Sequence, residues 1–233
     1  MGKTYYCVKP NITGEITYPI KVEDVCGNVI DLVYSLKVNP DPVVIITPSR
    51  NATDVGIPIS FNATVIGGTK PYIKVWYVNG TPVSNEDVLY YNFTSPGVYN
   101  VTLKVVDSVN FTAVNSVTIK VNDYPTLNVS YNLHYDFLVY ASSVNLSSKV
   151  FGGTPPYTYT VYVNGREYYV GNNLSINVPI DAGKNNITVV VKDSLGLTKA
   201  ETILVYGGFN WFLILVIITL IVVITIILMK RRR

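Results

Sequence analysis

A single histidine limits the catalytic chemistry that this chain of 233 residues could support. A Ser-His-Asp or Cys-His arrangement would have to be built around His134, because those mechanisms use an imidazole as the general base. His134 lies in the segment YNLHYDFLVY, whose alternation is typical of a β-strand. That setting favours a histidine on a strand face or in a loop. The sequence therefore predicts no catalytic residue and no enzyme activity.

Three aspartates recur at the ends of similar segments and are the next candidates for chemistry. Asp24, Asp107 and Asp193 each follow an alternating run and precede a turn. An aspartate there closes the turn by accepting hydrogen bonds from nearby backbone N–H groups. A calcium site would need further carboxylates at short spacing, and none flanks Asp107 or Asp193. We predict structural turn residues and no metal site.

Two glycine pairs and the aromatic residues suggest ligand binding only weakly. No Gly-Lys-Ser/Thr follows Gly67-Gly68 or Gly152-Gly153 and no helix opens there, so neither pair predicts a phosphate loop or a cofactor. Trp76 and the many tyrosines could form a sugar-stacking platform. Core and cross-strand packing is the favoured role for most of them.

The two cysteines, Cys7 and Cys26, are compatible with an oxidising exterior and could form a disulfide. Closing that loop of roughly 20 residues would stabilise its domain by about 3 kcal/mol in the chain-entropy model. The cysteines have no partners that would make a metal site.

Eleven Asn-x-Ser/Thr sequons, none with proline in the middle, are candidate sites for N-linked glycans. Glycans are added outside the cytoplasm and need surface positions, so this number of sequons predicts a glycosylated external surface. The candidate asparagines are Asn11, Asn51, Asn62, Asn79, Asn92, Asn100, Asn110, Asn128, Asn145, Asn173 and Asn186.

The segment from Phe209 to Met229 carries no charged residue, and Lys230 and three arginines follow it. A helix of this length reaches about 31 Å, which matches the hydrocarbon core of a bilayer. We predict a transmembrane helix at 209–229 and, by the positive-inside rule, a cytoplasmic tail at 230–233. A buried core helix is the alternative, but such helices are usually shorter and carry a polar stripe. The portion before the span is then extracellular.

The charge balance of that outer portion excludes one class of partner. Subtracting the four basic residues of the tail from the total of 18 leaves 14, against 15 acidic residues. A nearly neutral surface lacks the basic footprint of a nucleic-acid-binding protein.

An internal repeat organises the chain before the span. The segment GGTKPYIKVWYVNG at 67–80 recurs as GGTPPYTYTVYVNG at 152–165. A second block recurs three times, with ten residues from glycine to aspartate, at 14–24, 97–107 and 183–193. A fixed period on this scale indicates a tandem array of one structural unit, here about 84 residues long.

Alternation within the repeat predicts strands. Val101, Leu103 and Val105 are apolar and alternate with polar residues, as on a half-buried strand, and the sequon at Asn100 falls on the polar face. Several such strands, separated by Gly, Pro, Asn and Asp turns, predict an all-β chain of Ig-like antiparallel β-sandwiches of about seven strands each.

These blocks resemble the PKD domain family, an Ig-like β-sandwich found in tandem on cell-surface proteins, notably in archaea. The resemblance lies in GGTxPY, in VNG at 78–80 and 163–165, and in the turn aspartates, and it covers nearly all of 14–206. It implies architecture and a spacer or adhesion role. The chain has WYVNG and VYVNG where many members carry W-x-F-G-D-G, so no sugar or metal site is carried over. Its composition and short basic tail also resemble those of archaeal surface proteins.

The repeat predicts domain boundaries. We expect a partial sandwich at 1–40, complete sandwiches at 41–124 and 125–206, and short proline-bearing linkers at 38–42 and 121–125, which restrict bending. Gly207-Gly208 would then separate the last strand from the helix.

The favoured function is a non-catalytic, glycosylated stalk or spacer anchored in the membrane, which supports a surface layer or presents an N-terminal functional domain. Its partners would be the lipid bilayer, N-linked glycans and other surface proteins. One alternative is the C-terminal anchoring part of a secreted hydrolase or solute-binding protein. Another is a carbohydrate-binding adhesin, which would need an exposed aromatic row on one sheet.

The repeat also predicts that the chain as given is N-terminally incomplete. Residues 1–40 align with the second half of the later copies and lack a GGTxPY element, and the first residues contain no apolar run of a signal peptide. Half a sandwich exposes apolar faces and open edges, so residues 1–40 need partner strands. Strands donated by another molecule are the alternative.

Overall fold

The structure is a computed structural model that describes residues 11–136 and 140–231. The described residues form seventeen β-strands and one α-helix. The strands are β1 Gly14–Glu23, β2 Val29–Val38, β3 Val43–Pro48, β4 Ala52–Asp54, β5 Ile59–Ile66, β6 Ile73–Val78, β7 Thr81–Ser84, β8 Leu89–Tyr91, β9 Gly97–Val106, β10 Thr112–Asn122, β11 Thr126–Asp136, β12 Tyr140–Phe151, β13 Thr158–Val163, β14 Arg166–Gly171, β15 Ser175–Pro179, β16 Gly183–Lys192 and β17 Thr198–Phe209. The helix is α1 Trp211–Arg231.

The chain divides into two compact units. Unit 1 takes in the chain up to Asn51, Pro58–Asn92 and Val98–Lys120. Unit 2 takes in Ala52–Ile57, Phe93–Gly97 and the chain from Val121 onward. The short segments 52–57 and 93–97 therefore belong to unit 2, although most of the residues around them belong to unit 1. The repeat does not predict this assignment. The predicted boundaries at 40/41 and 124/125 remain proposals.

Unit 1 contains antiparallel sheets around an apolar core. β5 lies between β3 and β8 in one sheet, and β10, β9, β6 and β7 are neighbours in that order in another. Alternating residues supply the apolar core: in β9, Val101, Leu103 and Val105 are fully buried, and Lys104 is exposed. Trp76 of β6 is also fully buried, and its Nε1 donates to the Glu86 carbonyl at 2.9 Å.

β1 and β2 form a sheet of two strands within unit 1. They pair antiparallel along their whole length, from Gly14 opposite Val38 to Glu23 opposite Val29. Among the described strands, neither pairs with any other. Neither β1 nor β2 has a buried residue, which sets this sheet apart from the other sheets.

Unit 2 is built in the same way. β12 pairs with β11 and β15, and β16 lies between β13 and β17. The core collects alternate residues from these strands, such as Val144 and Leu146 of β12 and Ile187, Val189 and Val191 of β16. Both sets of sheets are antiparallel with apolar residues between them, which is the architecture of a β-sandwich.

The junction between β17 and the helix corrects the predicted boundaries. Gly207 and Gly208 do not form a linker, because β17 continues through both to Phe209 and pairs there with Ala141 and Tyr140 of β12. A side chain at Gly207 would collide with the Asp181 carbonyl, only 2.2 Å from the expected Cβ position, so glycine is needed for close approach. The helix accordingly begins at Trp211 and not at Phe209, and it continues beyond Met229.

Asn210 sets the start of the helix. Its side-chain Oδ1 accepts a hydrogen bond from the Leu213 backbone N–H at 3.2 Å, the bond made by an N-cap residue. α1 has no buried residue, and its only charged residues are Lys230 and Arg231 at its end. It is long and apolar enough to cross a membrane.

Candidate functional site

His134 sits on β11 with its ring about half exposed. Its Nε2 lies 3.6 Å from Asp136 Oδ1, and that carboxylate is also about half exposed. Pairs this open to water contribute little to stability.

The three recurring aspartates each hold a turn through one carboxylate oxygen. Asp107 Oδ1 accepts from the backbone N–H groups of Val109 and Phe111 at 3.0 and 2.8 Å. Asp193 Oδ1 accepts from those of Leu195 and Leu197 at 3.0 and 2.9 Å. Asp24 Oδ1 accepts from the backbone N–H groups of Cys26 and Asn28 at 2.8 and 2.9 Å.

Asp107 and Asp193 also reach the GGT element with their second oxygen. Asp107 Oδ2 accepts from the Thr69 N–H at 2.9 Å, and Asp193 Oδ2 accepts from the Thr154 N–H at 3.2 Å. Burial would raise the pKa of Asp107, but the backbone N–H groups of Thr69, Phe111 and Val109 outweigh it and hold that pKa below its ordinary value. The aspartates therefore act here as hydrogen-bond acceptors for backbone.

Each GGT element also forms hydrogen bonds with the residues just before the first strand of its repeat. The Gly68 N–H donates to the Pro40 carbonyl at 2.7 Å, and the Asn39 side chain donates to Thr69 Oγ1 at 3.1 Å. We call these residues, with Asp107, the first GGT cluster. The positive φ angles of Gly67 and Gly68, and a Cβ position at Gly67 only 2.6 Å from the Asp41 carbonyl, explain why glycine stands there.

The second GGT cluster has the same construction in unit 2. The Gly153 N–H donates to the Asp123 carbonyl at 2.7 Å, and the Asn122 side chain donates to Thr154 Oγ1 at 2.9 Å. Asp193 completes the cluster. In both clusters the glycine pair serves backbone packing and hydrogen bonding.

Asp54 joins the second GGT cluster and was not predicted from the sequence. Its side chain is fully buried, and its Oδ1 accepts from Thr154 Oγ1 at 2.7 Å and from the Asn122 side chain at 3.3 Å. None of the described residues donates to its Oδ2. Thr154 lies one hundred positions along the chain from Asp54, so no local pattern could have indicated the contact.

The second GGT cluster holds two carboxylates close together, and this changes their electrostatics. Burial is the largest cause that raises the pKa of Asp54, and the neighbouring Asp193 carboxylate raises it further, against the lowering effect of the Thr154 and Asn122 donors. Burial also raises the pKa of the nearby Tyr157 phenol. A proton on Asp54 Oδ2, donated toward Asp193, would satisfy the unpartnered oxygen.

Within 11–136 and 140–231 there is no group of three or more His, Cys, Asp or Glu side chains placed to hold an ion.

All eleven sequon asparagines are exposed. Asn100 of β9 and Asn186 of β16 occupy equivalent positions, each followed by a buried residue, and their backbone N–H groups donate to the Asn79 and Asn164 side chains at 2.8 and 2.9 Å. Their own side chains point away from the core. Asn79 and Asn164 have positive φ angles at the preceding turns, which the asparagine side chain tolerates.

The predicted Cys7–Cys26 disulfide involves Cys7, which lies outside the described residues, and so remains a prediction. Cys26 is exposed in the turn between β1 and β2.

Aromatic rings meet at the junction between β17 and α1. Phe209 packs edge-on against Tyr140 with ring centroids 5.0 Å apart, and its ring lies 5.8 Å from that of Trp211. Phe209 and Trp211 are exposed, and aromatic rings of this kind favour the interface between hydrocarbon and water. The tail residues Arg232 and Arg233 lie outside the described residues.

No protein-family model matches this sequence, and neither does any curated protein. Solved structures of similar fold include the fibronectin(III)-like modules of CbhA from Clostridium thermocellum, at 14% identity and a TM-score of 0.38, covering 70% of this chain and 93% of that one. They also include the N-terminal eight Ig domains of Down Syndrome Cell Adhesion Molecule, at 14% identity and a TM-score of 0.47, covering 84% and 35%.

A third is the I67–I69 fragment of the titin I-band, at 16% identity and a TM-score of 0.41, covering 81% of this chain and 72% of that one. Identities this low carry no functional information. The structure itself confirms the predicted all-β fold class, because the described residues form antiparallel β-sandwiches followed by one apolar C-terminal helix of 21 residues.

Proposed function

We propose that this chain is a non-catalytic, membrane-anchored cell-surface protein that serves as a glycosylated stalk or spacer. The observation that carries the proposal is the direct passage from β17 to α1. Only Asn210 separates the last strand of the sandwich from a helix of 21 residues that is apolar on all sides. An unpaired apolar helix of this length is stable when lipid covers it.

The charge distribution supports an outside position for the sandwiches. Lys230 and Arg231 end the helix, and no acidic residue lies in its first turn. Basic residues flanking a span stay on the cytoplasmic side, which leaves residues 11–209 outside. Eleven exposed sequons in that portion are consistent with N-linked glycans on an external surface.

The distribution of buried polar groups supports a structural role. The buried carboxylates of the GGT clusters accept hydrogen bonds that hold turns and linkers, as described above for Asp107 and Asp193. The repeat chemistry fits PKD-like domains of an archaeal-type surface protein, and a surface layer or a functional domain ahead of the repeats is the partner that we propose. Fold alone does not specify which of these it serves.

Epitope tags test the topology directly. One tag follows Arg233, and a matched tag replaces the exposed loop at 85–87 between β7 and β8. Protease added to intact cells should remove the loop tag and spare the C-terminal tag until the cells are lysed. Loss of the C-terminal tag without lysis would contradict the proposed orientation.

A second experiment tests the anchor. An arginine at the helix centre costs about 3 kcal/mol on insertion scales, so Ile218→Arg combined with Val222→Arg should move the protein from the carbonate-resistant membrane fraction to the soluble fraction. The matched pair Ile218→Leu and Val222→Leu should leave it in the membrane. Membrane retention of the double arginine variant would contradict anchoring by α1.

A further inference from the structure

Asp54 and Asp193 form a pair of buried carboxyl groups in unit 2. Asp54 is 0% exposed and Asp193 is 4% exposed. Thr154 bonds to both groups, since its N–H donates to Asp193 Oδ2 at 3.2 Å and its Oγ1 donates to Asp54 Oδ1 at 2.7 Å. Because the two donor atoms belong to one residue, the two carboxyl groups lie close together. Ionising both of them at this separation, away from water, is unfavourable.

The surrounding donors decide which group of the pair carries a proton. Asp193 accepts backbone N–H bonds from Thr154 and from two residues of its own turn, and these bonds favour its charged form. Asp54 accepts at Oδ1 from the side chains of Thr154 and Asn122. Its buried Oδ2 has no donor among the described residues. The proton therefore belongs on Asp54 Oδ2, from which it donates to Asp193.

No cation neutralises the pair within the part of the chain that the structure describes. The lysine, arginine and histidine ion pairs found there involve neither carboxyl group. Tyr157 also faces Asp54 and Asp193, but its O–H already donates to the Gly152 carbonyl at 2.7 Å. Asp123, in the preceding linker, is exposed to water. A proton is thus the group that balances the second carboxylate.

Segment 52–57 belongs to unit 2, and its attachment combines this pair with backbone bonds. The Val55 N–H donates to the Asn122 carbonyl and the Gly56 N–H donates to the Phe93 carbonyl, both at 2.9 Å. These backbone groups do not titrate. The carboxyl pair is therefore the part of the attachment that responds to pH.

The first GGT cluster has the same construction without the pair. Asp107 accepts three backbone N–H bonds there and is also 4% exposed. It is the one carboxylate among the residues that define that cluster. Its donors favour the charged form, so it stays ionised as pH rises. One chain thus contains a site that needs a proton and a matched site that does not.

We propose that segment 52–57 is a proton-operated latch: one proton shared between the Asp54 and Asp193 carboxyl groups holds the segment in unit 2, and loss of that proton releases it. When the proton passes to water, two negative charges are left buried together. The segment then moves out so that the Asp54 carboxylate is hydrated. The latch is closed in an acidic medium and opens as pH rises. This inference does not depend on the proposed function, because the latch needs neither the membrane nor glycans.

Hydrogen exchange on the full chain in lipid nanodiscs tests the latch between pH 4 and pH 8, in buffer with EDTA so that no metal ion occupies the pair. Each exchange rate is divided by that of the same peptide free in solution at the same pH. We expect the protection of segment 52–57 to fall by about tenfold or more as pH rises. Protection of the first GGT element at 67–69 and of β16 should change by less than about twofold.

Substitutions of Asp54 separate the proton from the rest of the contact. Asp54→Asn has an amide that can donate to Asp193 at every pH, so segment 52–57 should stay protected at pH 8. Asp54→Ala removes the group and should leave the segment poorly protected even at pH 4. Asp31→Asn changes an exposed carboxylate on β2 and should retain the wild-type fall.

Four results would overturn the proposal. The first is equal protection of segment 52–57 at pH 4 and pH 8 in the wild type. The second is a fall that persists in Asp54→Asn, because the proton would then lie on another group. The third is full protection in Asp54→Ala, which would show that the pair does not hold the segment. The fourth is an equal loss of protection in β16, which would indicate unfolding of unit 2 and not a local release.

Discussion

At the scale of single residues, the chemistry of this protein is that of carboxylates accepting hydrogen bonds from backbone. Asp107 and Asp193 each accept three such bonds from equivalent donors, so the same arrangement occurs in both repeats. Asp54 differs from them. It is buried beside Asp193 with one oxygen that none of the described residues satisfies.

Asp54 should make the stability of unit 2 fall as pH rises. Because the folded state raises its pKa above the ordinary value of 3.8, the folded state binds the proton more tightly than the unfolded state. The resulting stabilisation is fully present below pH 3.8 and is lost as pH rises through the raised pKa. Asp54→Asn cannot ionise, so it should melt at a higher temperature than the wild type at pH 7 and at a similar one near pH 3.5.

Calorimetry between pH 3 and 8 measures this difference. Asp123→Asn is the matched control, because Asp123 is an exposed carboxylate in the same part of unit 2. Its melting temperature at the same pH values provides the comparison. If Asp54→Asn shifts the melting temperature equally at all pH values, the raised pKa is not its cause.

Asn100 and Asn186 should carry glycans in native material. Both residues are exposed, and the residue that follows each on its strand is buried, so a glycan at either position projects away from the core. Glycopeptide mass spectrometry reads occupancy at each site. Finding both asparagines unmodified in protein from its native membrane would count against the proposed glycosylation of this face.

At the scale of elements, the predictable features are those that depend on local alternation. The alternation in β9 predicts Val101, Leu103 and Val105 toward the core, and the structure buries all three. This succeeded because a period of two residues sets which side chains share a face. The same reasoning could not find Asp54, since its partner Thr154 is distant in sequence.

At the end of β17 the local sequence led to a wrong prediction. Two consecutive glycines usually mark a loop, and here they continue a strand. Gly207 is required because the Asp181 carbonyl comes within 2.2 Å of where a Cβ would stand, a contact that depends on tertiary packing. The helix begins at Trp211 and not at the predicted Phe209, because the capping side chain of Asn210 decides where α1 begins.

Gly207→Ala should therefore destabilise unit 2. The added methyl group must displace the Asp181 backbone, and overpacking of this kind costs about 1–3 kcal/mol. Ala200→Val is the matched control, since Ala200 is exposed on the same strand and a larger side chain there meets solvent. Denaturant titration of both variants gives the comparison. Equal stability of the Gly207→Ala variant and the wild type would contradict this prediction, because the backbone near Asp181 would then accommodate the methyl group without cost.

At the scale of the whole molecule, apolar burial and backbone hydrogen bonds carry the stability, with little help from ion pairs. Among the described residues, Lys74 with Asp87 is the one lysine or arginine ion pair, at 2.5 Å, and Asp87 is exposed. The Lys74 ammonium lowers the pKa of Asp87 through a hydrogen bond and its charge. A single open pair of this kind contributes little.

The melting temperature should consequently depend only weakly on salt. Screening acts on exposed charges, and few of those in 11–136 and 140–231 are paired, so raising NaCl from 0.05 to 0.5 M should shift the melting temperature by less than about 2 °C. The Lys74→Ala variant provides the comparison and should show a similar dependence. A large fall in melting temperature with salt would reveal electrostatic support that these contacts do not account for.

The passage from β17 to α1 also determines how tension would travel through the protein. β17 pairs with β16 over ten consecutive residue pairs, from Gly183 opposite Gly207 to Lys192 opposite Thr198. A pull on the helix along the strand direction loads those pairs in shear, so many ladder hydrogen bonds must break together. With Asn210 as the sole connecting residue, there is almost no slack to stretch first. The sandwich that precedes the helix is thus attached in a way that resists rupture under a pull along the strand direction.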